Sequence, residues 1–195
     1  VSQSLKDDTL RLFDIKQEIN VVTNFIDLNK YEHNFTDCQR GVMAQDHEKI
    51  ITHISNLRQV KRIPDVIKIF YNIQKEIPSK LIMGGEGPER KKAEALCCEL
   101  NISHKVVFVG NSNEIDRILC FSDLFLLPSE TESFGLSALE AMASGVPVIS
   151  SDAGGIPEVN LNGFSGYLSP VGDVENMSKN AISILQNEET LRTVY

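Results

Sequence analysis

The chain has no tryptophan and only 4 cysteines and 4 histidines among its 195 residues. Cys38, Cys97, Cys98 and Cys120 form no Cys-x-x-Cys pair, and His33, His47, His53 and His104 show no ligand spacing. A metal site of the zinc type is therefore without its ligand pattern. The cysteines read as reduced, partly buried thiols of a cytoplasmic protein, and the histidines as surface or strand-end residues. There is no Gly-x-Ser-x-Gly, no His-Glu-x-x-His and no Asp-x-Asp. A serine or cysteine triad thus has no anchor, and no carboxylate pair offers itself to a divalent cation. Positive charge is also scarce, with 19 Lys and Arg against 27 Asp and Glu and a net charge of −8. A chain with no cationic excess cannot displace counterions along a phosphate backbone, which excludes a generic nucleic-acid binder. No apolar run approaches the ~18 to 20 residues of a membrane span, and no basic-plus-apolar signal segment opens the chain.

What remains is an acidic, cytoplasmic globular chain, 42% hydrophobic, with material for one well-filled core. From residue 50 onward, short apolar runs alternate with amphipathic stretches. Strands are expected at 50–54, 80–83, 105–109, 123–127, 148–150 and near Tyr167-Leu168. Helices are expected at 64–76, 89–100, 113–120 and 136–144, with a last one from Asp173. Strands that are apolar throughout and separated by helices predict an α/β fold, a Rossmann-like parallel sheet with helices on both faces. Right-handed crossovers then bring the loops that start at Ser55, Gly84, Gly110, Pro128 and Ser151 to one edge, where such folds bind ligands. Residues 1–45 read differently, with a helix over 4–13, a short strand over 19–22, a loop over 24–31 and a polar stretch over 37–45. They are expected to be the tail of a preceding domain and a hinge, with 46–195 the Rossmann-like domain, truncated within the helical run from Asn176 to Tyr195.

Two segments at that edge carry chemistry. Glu132 and Glu140 are eight positions apart. The first falls in a loop after a strand, the second about two turns into the next helix. The amides of Phe134, Gly135 and Leu136 then lie at a helix N-terminus, where unpaired N–H groups and the dipole favour an anion. Acidic residues before a helix are common, but Glu140 stands between Leu139 and Ala141 in a stretch that otherwise reads as core. Arg58, Lys61 and Arg62 place three cations within five positions of an acidic chain. A solvated loop is the commoner setting of such a cluster, but its place directly after a strand favours a diphosphate as its partner. The turn Gly84-Gly85-Glu86-Gly87-Pro88 lacks the lysine of a Walker loop and is weak alone.

In this order the segments resemble the C-terminal domain of family-4 retaining glycosyltransferases of the two-domain GT-B fold. Val1-Ser2-Gln3-Ser4 is similar to that family's "VS-x-S" helix, and 21–27 to its hinge. Gly85-Glu86-Gly87-Pro88 resembles its "G-x-G-P", and Glu132 to Glu140 its E-x7-E motif. Gly145-Val146-Pro147-Val148 and Gly154-Gly155-Ile156-Pro157-Glu158 follow in turn. The stretch His53 to Arg62 is similar to "HISNFR-x-x-KR" of a subgroup, the bacterial N-acetylglucosaminyl-malate synthases of bacillithiol assembly.

The resemblance implies a UDP-sugar donor, UDP-N-acetylglucosamine in that subgroup, and transfer to a small acceptor such as L-malate, with no cofactor and no metal. It implies that Glu140 binds the ribose hydroxyls, that Glu132 lies beside the transferred sugar, and that Lys61 pairs with the diphosphate. Glu132 and Lys61 would be the catalytic residues. The amides of Phe134 to Leu136, beside Ser133, would hold phosphate and sugar, with Gly85 in the same donor site. Asn111, Ser112 and Arg117 would lie near the base. Asn56 stands where many members have arginine, so Arg58 or Arg62 would have to complete the clamp with Lys61. The acceptor would be held mostly by an N-terminal half outside this sequence, and a homodimer is left open. Two alternatives share the same residues, a nucleotide-binding module without catalysis and an enzyme like UDP-N-acetylglucosamine 2-epimerase. A module that only binds would not need both glutamates.

Overall fold

A computed structural model of the chain describes residues 1–31, 40–112 and 114–187. Among the described residues, two α-helices precede the sheet, α1 (Gln3–Leu12) and the single turn α2 (Arg40–Met43). Strands and helices then alternate as β1 (Lys49–Ile54), α3 (Ile63–Glu76), β2 (Ser79–Gly84), α4 (Arg90–Glu99), β3 (Val106–Gly110) and α5 (Ile115–Cys120). They continue as β4 (Leu124–Leu127), α6 (Leu136–Ala143), β5 (Val148–Ser151), β6 (Gly166–Ser169) and α7 (Val174–Gln186). All neighbouring strands pair in parallel, in the order β3-β2-β1-β4-β5-β6. The expected Rossmann-like sheet is present.

The strands are apolar throughout because both faces are covered. Along β4, Leu124 and Leu126 join one core cluster while Phe125 and Leu127 join the other, as a period of two requires. The first cluster receives Val66, Ile67, Phe70 and Ile73 of α3, Ala93 of α4, and Met177, Ala181 and Leu185 of α7. The second receives Ile118 and Leu119 of α5 and Ala138 and Ala141 of α6. Helix α3 starts where Arg62 adopts a left-handed conformation (φ 51°), with a proline in its first turn. Among the described residues, no helix is long and apolar enough to cross a membrane.

The N-terminal segment departs from the sequence expectation. Residues 19–22 form no strand. They run outside the sheet with Val22 75% exposed, and a lone extended segment has no ladder partner for its backbone groups. The loop over 24–31 contains one 3-10 turn, Leu28–Lys30. The polar stretch over 37–45 becomes α2 in part, its start lying outside the described residues, as do Asn113 and the end of the C-terminal helical run. Cys97 and Cys98 are free, and burial pushes the Cys97 thiol up to about 11. Cys120 is disulfide-bonded, which corrects the reduced-thiol expectation there. Such a bond follows from proximity in space, which sequence spacing does not report.

Backbone hydrogen bonds lock the loops at the carboxyl edge to one another. Ser55 N–H donates to Gly84 C=O at 3.1 Å, and Leu57 N–H to Glu86 C=O at 3.0 Å. Gly85 N–H donates to Gly110 C=O at 2.7 Å, so three loops hold together through main chain. Gly85 has φ +108°, and a Cβ there would stand 1.8 Å from Ser55 O. Strain and overlap both oppose any side chain. Gly85→Ala is therefore expected to lower unfolding free energy by about 1–3 kcal/mol or more, read as a shift in the urea midpoint. An unchanged midpoint would mean that these loops are not held together in this way.

Candidate functional site

The strand order reverses between β1 and β4, which opens a crevice at their carboxyl ends. His53 is near the end of β1, the strand-end position expected of it, and is fully buried there against Phe125 instead of at the surface. His47 and His104 are exposed, and His33 lies outside the described residues. The His53 Nδ1 atom lies 2.8 Å from Leu126 O, and Nε2 lies 2.7 Å from Ser55 Oγ. A carbonyl only accepts, so Nδ1 carries the proton and Nε2 accepts from the Ser55 hydroxyl. Burial, and to a smaller extent the nearby Lys61 cation, hold this imidazole down to about 4. It is a neutral wedge between the central strands that fixes Ser55 at the cavity wall.

Two adjoining cavities fill the crevice. The larger, about 710 Å³, is lined by the ends of β1, β2 and β3 and by α6, including Ser55, Gly85, Asn111, Ser112, Leu136 and Glu140. The smaller, about 270 Å³, is lined by Arg58, Thr131, Glu132, Ser133, Gly154 and the α1 residues Ser4, Leu5 and Asp8. Asn56 and Lys61 line both. The structure thus separates the two glutamates and sets Lys61 at the junction between them.

Lys61 reaches this place through the 3-10 turn Gln59–Lys61, which is tied to the next loop by Glu130 N–H donating to Val60 C=O at 2.8 Å. Its Nζ lies 2.5 Å from Glu132 Oε1, and both side chains are largely shielded, at 18% and 13% exposure. Ser129 Oγ donates to the same oxygen at 2.8 Å. Glu132 is carried by a loop that packs backbone to backbone on the Gly154-Gly155 turn. A Cβ on Gly154 would stand 2.2 Å from Glu132 O, and one on Gly155 2.5 Å from Ser133 O. The paired glycines, which the sequence left without a role, let the turn approach that closely.

Helix α6 begins at Gly135 (φ 92°), with no side chain capping its N-terminus. Among the described residues, the amides of Phe134, Gly135, Leu136 and Ser137 donate to no protein acceptor, which suits an anion. Phe134 itself is buried, while Ser133 and Leu136 are exposed. Glu140, half-buried, accepts a hydrogen bond from the Tyr31 hydroxyl at 2.9 Å.

Three residues named from sequence do not converge in the same way. Arg62 turns to Asp65, with Nε 2.5 Å from Oδ2, and lines a separate depression with Glu89 and Lys92. Arg117 is exposed, pairs with Glu114 at 2.9 Å and does not line either cavity. Arg58 is exposed at the rim of the smaller cavity and makes no hydrogen bond or ion pair through its side chain among the described residues. Of the two arginines considered for the clamp, Arg58 is thus the one beside Lys61.

Sequence reasoning assigned no role to Ser129, Ser55, Tyr31 or Glu158. Glu158 accepts from the N–H groups of Gln3 and Ser4, each at 2.8 Å, while Ser2 Oγ donates to Ser133 O at 2.5 Å. The start of α1 is thereby pinned to the loop that carries Glu132. The signal for Glu158 was present, an acid closing the Gly154-Gly155-Ile156-Pro157 turn, but its partner is more than 150 residues away in sequence. Among the described residues, no group of three His, Cys, Asp or Glu stands close enough to hold a metal ion.

Residues 38–194 match the model of the family described as Glycosyl transferases group 1. The chain belongs to that family. It is 43% identical over its full 195 residues to N-acetyl-alpha-D-glucosaminyl L-malate synthase of Bacillus anthracis, covering 51% of that protein. It is 34% identical over 178 residues to an uncharacterized glycosyltransferase of Methanocaldococcus jannaschii, covering 86% of this chain and 46% of that one. The chain spans about half the length of these relatives. Among solved structures, HepE of Anabaena in complex with UDP superposes with a TM-score of 0.83 at 23% identity, over 90% of this chain and 50% of that one. Sucrose-phosphate synthase of Thermosynechococcus elongatus gives 0.87 at 24%, over all of this chain and 50% of that one. These likenesses show the fold, that of the GT-B glycosyltransferases.

The neutral His53 has a consequence for stability. Its folded value near 4 lies below the ordinary 6.5, so between these the unfolded chain takes up a proton that the folded chain refuses. Stability is therefore complete above about pH 6.5 and falls as the pH drops, by about 3 kcal/mol at pH 4 from this group alone. Urea unfolding at pH 7.5, 5.5 and 4.5 is expected to show this loss. His53→Gln should be weaker at neutral pH but show a shallower acid dependence. An identical pH slope in both chains would contradict a buried neutral imidazole.

Proposed function

We propose that the chain is the donor-binding half of a retaining, metal-independent UDP-sugar glycosyltransferase acting in the cytoplasm. Its donor would be UDP-N-acetylglucosamine and its acceptor a small hydroxy acid such as L-malate. Residues 1–45 would be the tail of the acceptor-binding domain and the hinge, and 46–195 the nucleotide-sugar domain. The donor and acceptor follow the malate synthase of Bacillus anthracis, which is similar along the whole chain. The observation that carries the reading is Lys61, common to the walls of both cavities, with Glu140 in one and Glu132 in the other.

In this reading the nucleoside occupies the larger cavity. Asn111 and Ser112 stand near the base, Gly85 gives backbone access, and Glu140 accepts from the ribose hydroxyls. The diphosphate crosses at Lys61 and meets the free amides from Phe134 to Ser137, and the sugar projects toward Glu132, Ser133 and Arg58. During transfer the bond between the anomeric carbon and the diphosphate oxygen breaks, a bond to the acceptor oxygen forms on the same face, and the acceptor hydroxyl's proton passes to the departing diphosphate. Negative charge grows on the departing diphosphate, where a cation and oriented amides aimed at it lower the barrier. Before the donor binds, Lys61 is neutralised by Glu132. An arriving diphosphate competes for the ammonium and releases the carboxylate toward the sugar.

Lys61→Ala is expected to weaken UDP by about 1–3 kcal/mol while uridine binding changes little. Because this change also leaves Glu132 uncompensated beside the phosphates, Lys61→Ala with Glu132→Gln should bind UDP better than Lys61→Ala alone. Calorimetry with both ligands reads this, and equal losses for uridine and UDP would reduce the lysine to a surface charge.

The two glutamates should separate kinetically in the full-length enzyme. Glu140→Gln should raise the donor KM with a smaller effect on kcat, as expected for a group that binds ground and transition states alike. Glu132→Gln should depress kcat without weakening UDP. The opposite pattern would reverse the assignment, and unchanged kinetics in both would remove the proposed chemistry.

A further inference from the structure

Tyr31 stands at the end of the Leu28–Lys30 turn, in the segment that precedes the sheet, yet it is only 5% exposed. Its ring belongs to the apolar cluster of Ile54, Ile118, Ala138 and Ala141, beneath α6 and beside the end of β1. A phenylalanine would fill that volume equally well, so the hydroxyl needs its own explanation. It reaches Oε1 of Glu140 at 2.9 Å, and Glu140 lines the larger cavity. Burial first, then the carboxylate, raises this phenol well above its ordinary value, so it stays protonated and can only donate to Glu140 across the working pH range.

We propose that Tyr31 is a positioning residue for nucleoside recognition, its hydroxyl holding the Glu140 carboxylate in the plane that meets the two ribose hydroxyls. The proposal rests on the reading of Glu140 as the ribose acceptor. An ionised carboxylate offers about four lone-pair sites on its two oxygens. Tyr31 occupies one on Oε1, and a vicinal diol needs one on each oxygen, so the tether and the ligand are compatible. Without the tether, the terminal torsion of a glutamate is broad and roughly two-fold, and the diol would have to select one orientation at an entropic cost. The phenol sets that orientation beforehand. It also links the segment before the sheet to the nucleoside pocket.

The test compares calorimetric affinities for UDP and 2′-deoxy-UDP in the full-length protein, for the native chain, Tyr31→Phe and Glu140→Gln. The native chain should prefer UDP. Tyr31→Phe keeps the ring and removes only the donor, so UDP should weaken about threefold to tenfold, the range of one hydrogen bond. Affinity for 2′-deoxy-UDP should stay within about twofold, which shrinks the preference. A role in packing alone would weaken both nucleotides together, and that result, or an unchanged preference, overturns the proposal. Glu140→Gln separates the two levels of the argument. If it keeps the full preference for ribose, the ribose reading itself fails and the proposal falls with it. If it loses the preference while Tyr31→Phe retains it, only the positioning role is overturned.

Discussion

A parallel sheet buried on both faces needs a crossover between successive strands, helical throughout this sheet except between β5 and β6, where the 3-10 turn Ile156–Glu158 lies, and right-handed crossovers send the connecting loops to the same edge. The rest of the molecule depends on this constraint. The alternation along β4, with Leu124 and Leu126 to one core and Phe125 and Leu127 to the other, fixes which face each helix covers. With the strands fixed, the loops after β1, β2 and β3 lie close enough for Ser55, Leu57 and Gly85 to pair through main chain. The crevice at the switch between β1 and β4 is what remains between these loops and the start of α6. Its walls are rigid because the backbone of one loop serves as the hydrogen-bonding partner of the next.

Electrostatics at the crevice run against the character of the whole chain. A protein of net charge −8 repels anions at long range, and Debye screening confines that field to about 10 Å at ordinary ionic strength. An anion that enters the crevice meets the Lys61 ammonium, the rim guanidinium of Arg58 and amide donors that no acceptor among the described residues satisfies. The buried imidazole of His53 adds no charge there, because desolvation keeps it neutral. Glu132 balances Lys61 in the meantime, and a buried cation without a partner would be costly. The same pair thus serves the stability of the free chain and the chemistry proposed for the bound one.

Much of this was legible beforehand. The strand and helix pattern from residue 50 onward was recovered with boundaries shifted by one or two residues, since continuous apolar runs broken by amphipathic stretches leave few other folds open. Glu140 stands out in the sequence because an acid between Leu139 and Ala141 is expensive unless it faces a cavity or a partner, and it does both. The N-terminal segment is less legible. The run over 19–22 has strand composition but no strand to pair with, and composition cannot supply one.

The sequence by itself determined the parallel sheet, the edge at which its loops gather and the two glutamates there, because these follow from periodicities and spacings within short stretches. Tertiary structure alone decided which polar groups meet. Lys61 faces Glu132 across 71 positions, Tyr31 finds Glu140 across 109, and Glu158 receives the start of α1 across 155. It also turned Arg62 to Asp65 and left Arg117 outside the crevice, although both had looked like ligands by their place in the chain. Where a long, flexible side chain comes to rest depends on the acceptors the fold brings within reach, and that is settled only once the sheet has closed.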